Sequence, residues 1–440
     1  MAVSDHHSYG NPADPNGSRL TSTIPMIGES LLMLGMLLMF SEALLGPLLT
    51  DVTRPEDSAV LRIMWFPIYG VIFTLGMTRI VPLANLAIRM PILILLMGFI
   101  AASTFWSIDQ ELTSRRFIAI GMTTTFGLYL ASRYDWKDLL TLFGITWLIL
   151  CVGAFIVSLG VPSLGVDSGV HVGAWKGLWF EKNTMGGHIS RASFLFGFLA
   201  ITQPDRRKVW IAGLLMAVAL VLLSQSATSL LGMLLGFLIL AAGWIMRRGP
   251  IASLSIFWSI VTFGSVFALV ILVAPEFFLG LLGKDPTLTG RTDIWEVLLE
   301  LIKKQPERGY GYGAFWSTGS APALYVREIT QWEVPTAHNG WLEVWLGIGL
   351  WGLALFCLSF FLTIVQAIRA MFVGWIGFFA LGFIAQFTVF SMSESNILQQ
   401  NSITWVAYVA VAASLVQDRL GRQPIKLTGV RRNRDFILAD

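Results

Sequence analysis

The chain has 440 residues, 55% of them hydrophobic and only 13% charged, with a formal net charge of +3. A soluble domain carries about a quarter charged residues, so water cannot be the solvent for most of this surface. That excludes a soluble enzyme, and the absence of any basic run with interleaved aromatics argues against a nucleic-acid partner. The reading is an all-α polytopic membrane protein whose partner is the lipid bilayer.

The first residues, Met1 to about Thr23, are rich in Asn, Pro, Gly and Ser. They read as a disordered tail (1–24) rather than a secretory signal, which needs a basic start and an immediate apolar stretch. A membrane helix takes about 20 mostly apolar residues. Runs of that kind lie near 25–48, 60–78, 88–105, 117–132, 139–160, 184–202, 209–224, 229–246, 252–274, 341–365, 372–391 and 401–416. They predict about twelve spans, within a range of about ten to twelve, since the runs either side of the short break at 224–229 can also be one broken element. Cys151 and Cys357 lie inside apolar runs and read as small core residues rather than a disulfide or metal pair.

Short loops that carry Lys and Arg stay cytoplasmic. With the N-terminus inside, the cytoplasmic links hold Arg79 and Arg89, Arg133 and Lys137, Arg206 to Lys208, Arg247 and Arg248, and Arg369, and the C-terminal tail is basic. Both termini are then cytoplasmic. The organisation that follows is the tail, a first helix bundle (25–275), one long outer loop (276–340), a second group of helices (341–417) and a basic tail (418–440). Within the long loop, 293–304 has apolar residues at three- and four-residue steps, which predicts an amphipathic helix lying at the interface. The turn Gly309-Tyr-Gly-Tyr-Gly313 follows.

The outer links hold the residues with chemistry. His338 sits where the long loop re-enters the membrane; an imidazole there can titrate near neutral pH and serve as a general base, or it can cap a helix. Asn339 and Glu343 either orient its ring or cap the helix that follows. Arg291 precedes the amphipathic stretch, where a guanidinium beside free backbone N–H groups makes a phosphate cradle; the bland reading is a solvated arginine paired with Asp293. Lys176, Lys182 and Asn183 cluster at the outer end of the 184–202 run. Arg191 lies about two turns into that run, where a cation faces the protein interior or snorkels to the interface. Arg115 and Arg116 point about 100° apart on a helix, so at most one faces a given pocket. His171 and His188 are isolated, and no set of ligands has metal-site spacing. Together, the cations, the histidine and the outer-loop tryptophans suit a phosphate-bearing lipid with a sugar-like end.

Four segments in this order resemble the O-antigen ligase / Wzy-type polymerase superfamily, above all its exopolysaccharide polymerase (ExoQ-like) branch. They are Trp106-Ser-Ile-Asp109 with Arg115 and Arg116, Gly177-Leu-Trp-Phe-Glu-Lys-Asn183, Gly290-Arg-Thr-Asp-Ile-Trp295 with the Gly-Tyr repeat, and Ala337-His-Asn-Gly-Trp-Leu-Glu343. The resemblance implies a GT-C-like fold with a periplasmic large loop, in the bacterial inner membrane. It implies a glycosyltransferase without metal or other cofactor that polymerises undecaprenyl-pyrophosphate-linked oligosaccharide into exopolysaccharide or O-antigen, in concert with a flippase and chain-length or export proteins. An O-antigen ligase acting on lipid A core or protein is the nearest alternative, and a transporter or flippase of lipid-linked sugar is the alternative of another class. Carried over by motif, Arg291 binds pyrophosphate, His338 is the base, and Lys182 and Asn183 line the site. Lys176, Arg115, Arg116, Arg191, Asn339 and Glu343 join them as substrate-binding candidates. Ala227 stands where many relatives have a basic residue, so another cation, such as Arg191, has to take its place.

Overall fold

The computed structural model describes residues 23–49, 58–169, 171–273 and 291–418. The two predicted tails and the first part of the long loop therefore lie almost wholly outside the described residues. Among those described, the chain is helical, and its only extended pairing is an isolated bridge between Val166 and Trp175.

In chain order the helices are α1 (Thr23–Phe40), α2 (Leu45–Leu49), α3 (Ala59–Thr78), α4 (Ile80–Ile88), α5 (Pro91–Ala102), α6 (Gln110–Arg133), α7 (Trp136–Gly160), the single turn α8 (Pro162–Gly165), α9 (Lys182–Thr202), α10 (Arg207–Leu223), α11 (Ala227–Met246), α12 (Pro250–Val273), α13 (Arg291–Lys304), α14 (Ala321–Thr330), α15 (Gly340–Met371), α16 (Trp375–Ser391) and α17 (Ile403–Asp418). Each apolar run in the sequence is helical, but the first, 25–48, is split into α1 and α2 by a turn at 41–44. Among the described residues, four helices are long and apolar enough each to cross a bilayer, or five if the bent pair α4–α5 is one span.

Burial sorts these helices. A helix apolar on all sides belongs in a core or in lipid, and both kinds occur here. The α9 helix is buried from Met185 to Phe196 and packs on α7, α10, α11 and α16. By contrast α12 leaves Phe257, Trp258 and Phe263 exposed and packs mainly on α11. Phe66, Phe73 and Leu238 also point outward, forming an apolar surface that water would not tolerate over such an extent. The protein is thus an all-helical, multi-pass membrane protein. Cys151 is buried, as expected, whereas Cys357 is exposed on α15: in a membrane helix an apolar neighbourhood in sequence does not separate the inward face from the lipid face.

Three features depart from the sequence reading. The link after α3 is itself helical (α4), and α4 and α5 meet at 97°; Met90 and Pro91 make the joint, because proline removes a backbone donor and restricts the residue before it. The amphipathic α13 does not rest on the lipid interface with its apolar face. Ile294, Leu298, Leu301 and Ile302 pack instead against Phe315, Trp316, Val326 and Leu346, a small core of its own within the 291–346 stretch. A helical apolar stripe records that something covers it, not whether lipid or protein does.

The third departure is in α15, which is broken at Gly349 (φ 65°, ψ −171°). The carbonyls of Leu346 and Gly347, released from the helical ladder, accept the N–H groups of Tyr310 (2.7 Å) and Gly311 (2.9 Å), and Leu350 donates to the Pro306 carbonyl (2.8 Å). A side chain at 349 would be strained at this φ and would run into the Glu307 carbonyl. The Gly-Tyr turn is thereby wedged between the break in α15 and the start of α6, where Ile108 donates to the Tyr310 carbonyl (3.0 Å) and the Trp106 indole to the Arg308 carbonyl (2.9 Å). These bonds fasten the outer segment to the bundle.

Candidate functional site

The loop that carries His338 is held residue by residue. The Ala337 N–H donates to the Glu343 carboxylate (2.9 Å) and its carbonyl accepts from the Trp295 indole (2.9 Å). Asn339 accepts the N–H groups of Trp341 (3.0 Å) and Leu342 (3.2 Å), capping α15. Glu343 also accepts from the Trp316 indole (2.9 Å). Of the two readings of Asn339 and Glu343, the structure thus shows the capping and loop-holding one; neither touches the imidazole. His338 itself has φ 47°, a left-handed conformation uncommon outside glycine, and such residues often sit at functional sites.

The imidazole is 7% exposed, and neither ring nitrogen has a hydrogen-bond partner among the described residues. Trp332 stacks on its face at 5.6 Å and 11°. The Glu394 carboxylate lies beside it, with 3.7 Å between Nδ1 and Oε2, too long for a hydrogen bond and an ion pair only when the imidazole carries a proton. The other Glu394 oxygen lies 3.3 Å from Nη2 of Arg291. One carboxylate, on the turn between α16 and α17, therefore stands between the two residues the motifs singled out.

Glu181, at the start of α9, completes the charge cluster. Burial, and then repulsion by Glu394, push its carboxyl above the ordinary carboxylate range, against the pull of His338 and Arg291. A carboxyl with a raised pKa costs the fold stability when ionised, and the cost disappears as pH falls through the raised value. Glu181→Gln is accordingly expected to melt higher than the parent above neutral pH, with the gap closing in mild acid; detergent-phase thermal melts across pH check this.

Behind Glu394 is a cavity of about 150 Å³ whose walls include Asn183, His188, Arg191, Thr336, Glu394 and Gln399. Arg191 is 4% exposed and lies over the Phe390 ring at 4.7 Å. It faces this interior cavity, not the lipid. Asn183 accepts from the Ser226 hydroxyl (2.9 Å) and Lys182 donates to the Gln225 carbonyl (3.3 Å). Both bonds tie the start of α9 to the α10–α11 turn.

The remaining candidates stand apart. Arg116 donates to the Gly313 carbonyl, beneath the Gly-Tyr turn. Arg115 points elsewhere, 3.9 Å from Glu111 on an exposed helix face, so the two do diverge. Lys176 is on the 166–181 segment, anchored by its backbone N–H on Gly165, and its side chain does not line the cavity. Among the described residues no three His, Cys, Asp or Glu side chains converge to hold a metal ion. The sequence reading missed Glu394 and His188 as wall residues. An acid in a short outer link has no pattern to mark it until its partners, distant in sequence, are in place.

A family model described as O-antigen ligase matches residues 211–357, a stretch that holds both Arg291 and His338. The chain is also 33% identical over 201 residues to the exopolysaccharide production protein ExoQ of Rhizobium meliloti (strain 1021), across 41% of this chain and 44% of that protein's length. The similarity therefore spans less than half of the relative.

Proposed function

We propose that the chain is of the O-antigen ligase / ExoQ-like kind, which its similarities support, and that it is a membrane glycosyltransferase that polymerises undecaprenyl-pyrophosphate-linked repeat units on the periplasmic side of the bacterial inner membrane. In this reading it has about twelve spans in a GT-C-like arrangement with both termini cytoplasmic, and 276–340 is the periplasmic loop. Its partners are the lipid-linked oligosaccharide and, in the cell, a flippase and chain-length or export proteins. The observation that carries the proposal is the meeting of Arg291 and His338 on the two oxygens of Glu394, beside a cavity with a buried arginine.

The chemistry follows from charge. Arg291, at the N-terminus of α13, meets the pyrophosphate where guanidinium and helix-end N–H groups add. The incoming phosphate competes with Glu394 for Arg291, and Glu394 is left to His338. His338 takes the proton of the acceptor hydroxyl as the new C–O bond forms and the bond from the anomeric carbon to the phosphate oxygen breaks. The leaving pyrophosphate keeps its negative charge, neutralised by Arg291 and Arg191, so no metal is required by the scheme. A single direct attack inverts the anomeric centre.

The O-antigen ligase description of the family model favours a second reading, transfer of finished glycan to a separate acceptor. Purified protein with lipid-linked repeat unit discriminates. A ladder of products from repeat unit alone supports the polymerase; product only after lipid A core is added supports the ligase. No product in either case contradicts the transferase.

A further inference from the structure

The cavity behind Glu394 has one charged group that the scheme above leaves unused. Glu42 lies in the turn that ends α1, and it lines the cavity together with Phe40 and Ser41. Its φ is 55°, and Leu44 in the same turn has φ 62°. Two departures of this kind in one turn of non-glycine residues cost about 1 kcal/mol each or more and persist only where surrounding contacts enforce them. Here the contacts are visible: Leu44 donates to the Leu178 carbonyl (2.7 Å) and the Trp179 indole donates to the Ser41 carbonyl (2.9 Å). The 177–183 segment thus clamps the turn that presents Glu42.

Among the described residues the Glu42 backbone is bonded to Met39 and Gly46, but its carboxylate has no hydrogen bond and no ion pair. A carboxylate held in a largely enclosed space without a partner is costly, and the strained turn adds to that cost, so the fold gains nothing from Glu42 as it stands. The same lining also holds a cation, Arg191, and a second carboxylate, Glu394. Arg191 and His188 are buried one turn apart on α9, and the Arg191 Nε and His188 Nδ1 atoms also lack partners. Much of the remaining lining is amide and hydroxyl: Asn183, Thr184, Ser395, Asn396 and Gln399. The volume equals about five water molecules in the liquid, the scale of one sugar ring.

We propose that this cavity seats the first sugar of the lipid-linked donor, its phosphate toward Arg191, and that Glu42 selects a ring with neutral hydroxyl or amino groups at its far edge. Glu42 accepts hydrogen bonds from that edge and repels a ring bearing a carboxylate. The inference rests on the transferase reading and deepens it by naming the class of donor: neutral or amino sugar, not uronic acid, next to the pyrophosphate. A metal ion is a poor alternative occupant, since it needs several oxygen ligands and the cavity walls offer no third acidic group near enough.

The test uses the full chain in nanodiscs and two synthetic polyprenyl-pyrophosphate monosaccharides, one carrying glucose and one glucuronic acid, with binding read by native mass spectrometry. Glucose-bearing lipid is expected to bind about tenfold or more tightly than the uronate, and Glu42→Gln to bring the ratio near unity, chiefly by improving uronate binding. Glu42→Asn, whose side chain accepts the left-handed conformation, is the second variant should glutamine disturb the turn. An unchanged ratio in both variants, or a parent that binds the two lipids equally, overturns the role of Glu42 and leaves the transferase standing. Binding of neither lipid by the parent overturns both.

Discussion

Replacing His338 with alanine or asparagine is expected to stop chain growth while lipid-linked donor still binds. A positioned general base contributes about 10²–10⁴-fold, and no other histidine is placed to substitute: His188 is buried behind Glu394, stacked on Trp179 at 5.0 Å. Asparagine is the cleaner variant, because it tolerates the left-handed backbone at φ 47° that alanine adopts only under strain. Neither variant removes a side-chain hydrogen bond, since both imidazole nitrogens lack partners among the described residues, so any fall in melting temperature should come from the lost stacking on Trp332 and be smaller for asparagine. Turnover and donor binding measured side by side check the split. A transporter with no chemistry to perform would keep full activity in both variants.

Loss of Arg291 is expected to act on two quantities that a second substitution can separate. Arg291→Ala removes a charge-assisted contact to phosphate, worth about 1.5–3 kcal/mol, so donor affinity should fall about tenfold to a hundredfold. It also leaves Glu394 facing Glu181 with less compensation. Breaking one side of a buried ion pair costs about 3–5 kcal/mol, and the residual exposure of this pair brings the expected loss to about 1–3 kcal/mol. Adding Glu394→Gln should restore the lost stability and leave donor affinity low. Arg291→Lys should fall between, because a lysine keeps the charge and loses the planar fork. If the double variant regains donor affinity as well, Arg291 serves only to neutralise Glu394.

These expectations draw unevenly on sequence and structure. The helical class was legible because apolar runs long enough for a bilayer are hard to mistake, and each is helical in the structure. Where such runs bend was not legible: Met90 and Pro91 sit at a 97° joint, and Gly349 breaks what reads as one continuous stretch. Hydropathy averages over residues, while a bend is a property of one or two. The apolar face of α13 was visible as a stripe, yet what covers it is the protein itself.

Arg291 and His338 were found through motifs, and the structure brings them to one carboxylate. Asn339 and Glu343 had two readings, and backbone hydrogen bonds settle them as a helix cap and a loop clasp. Glu394, Glu181 and Glu42 carry the electrostatics of the site without any spacing rule to reveal them. Their importance comes from which charges face them across the fold, and that information is tertiary.

A cryo-electron microscopy structure of the protein in nanodiscs, with a non-transferable lipid-pyrophosphate glycan bound, tests the central claim most directly. The pyrophosphate should lie within charge-assisted hydrogen-bond range of Arg291, about 2.7–2.9 Å, with Glu394 released from the guanidinium and the glycan reaching past His338 on the outer side of the membrane. Phosphates seated away from Arg291, or an outer segment 291–339 found on the same side as the N-terminus, would contradict the account.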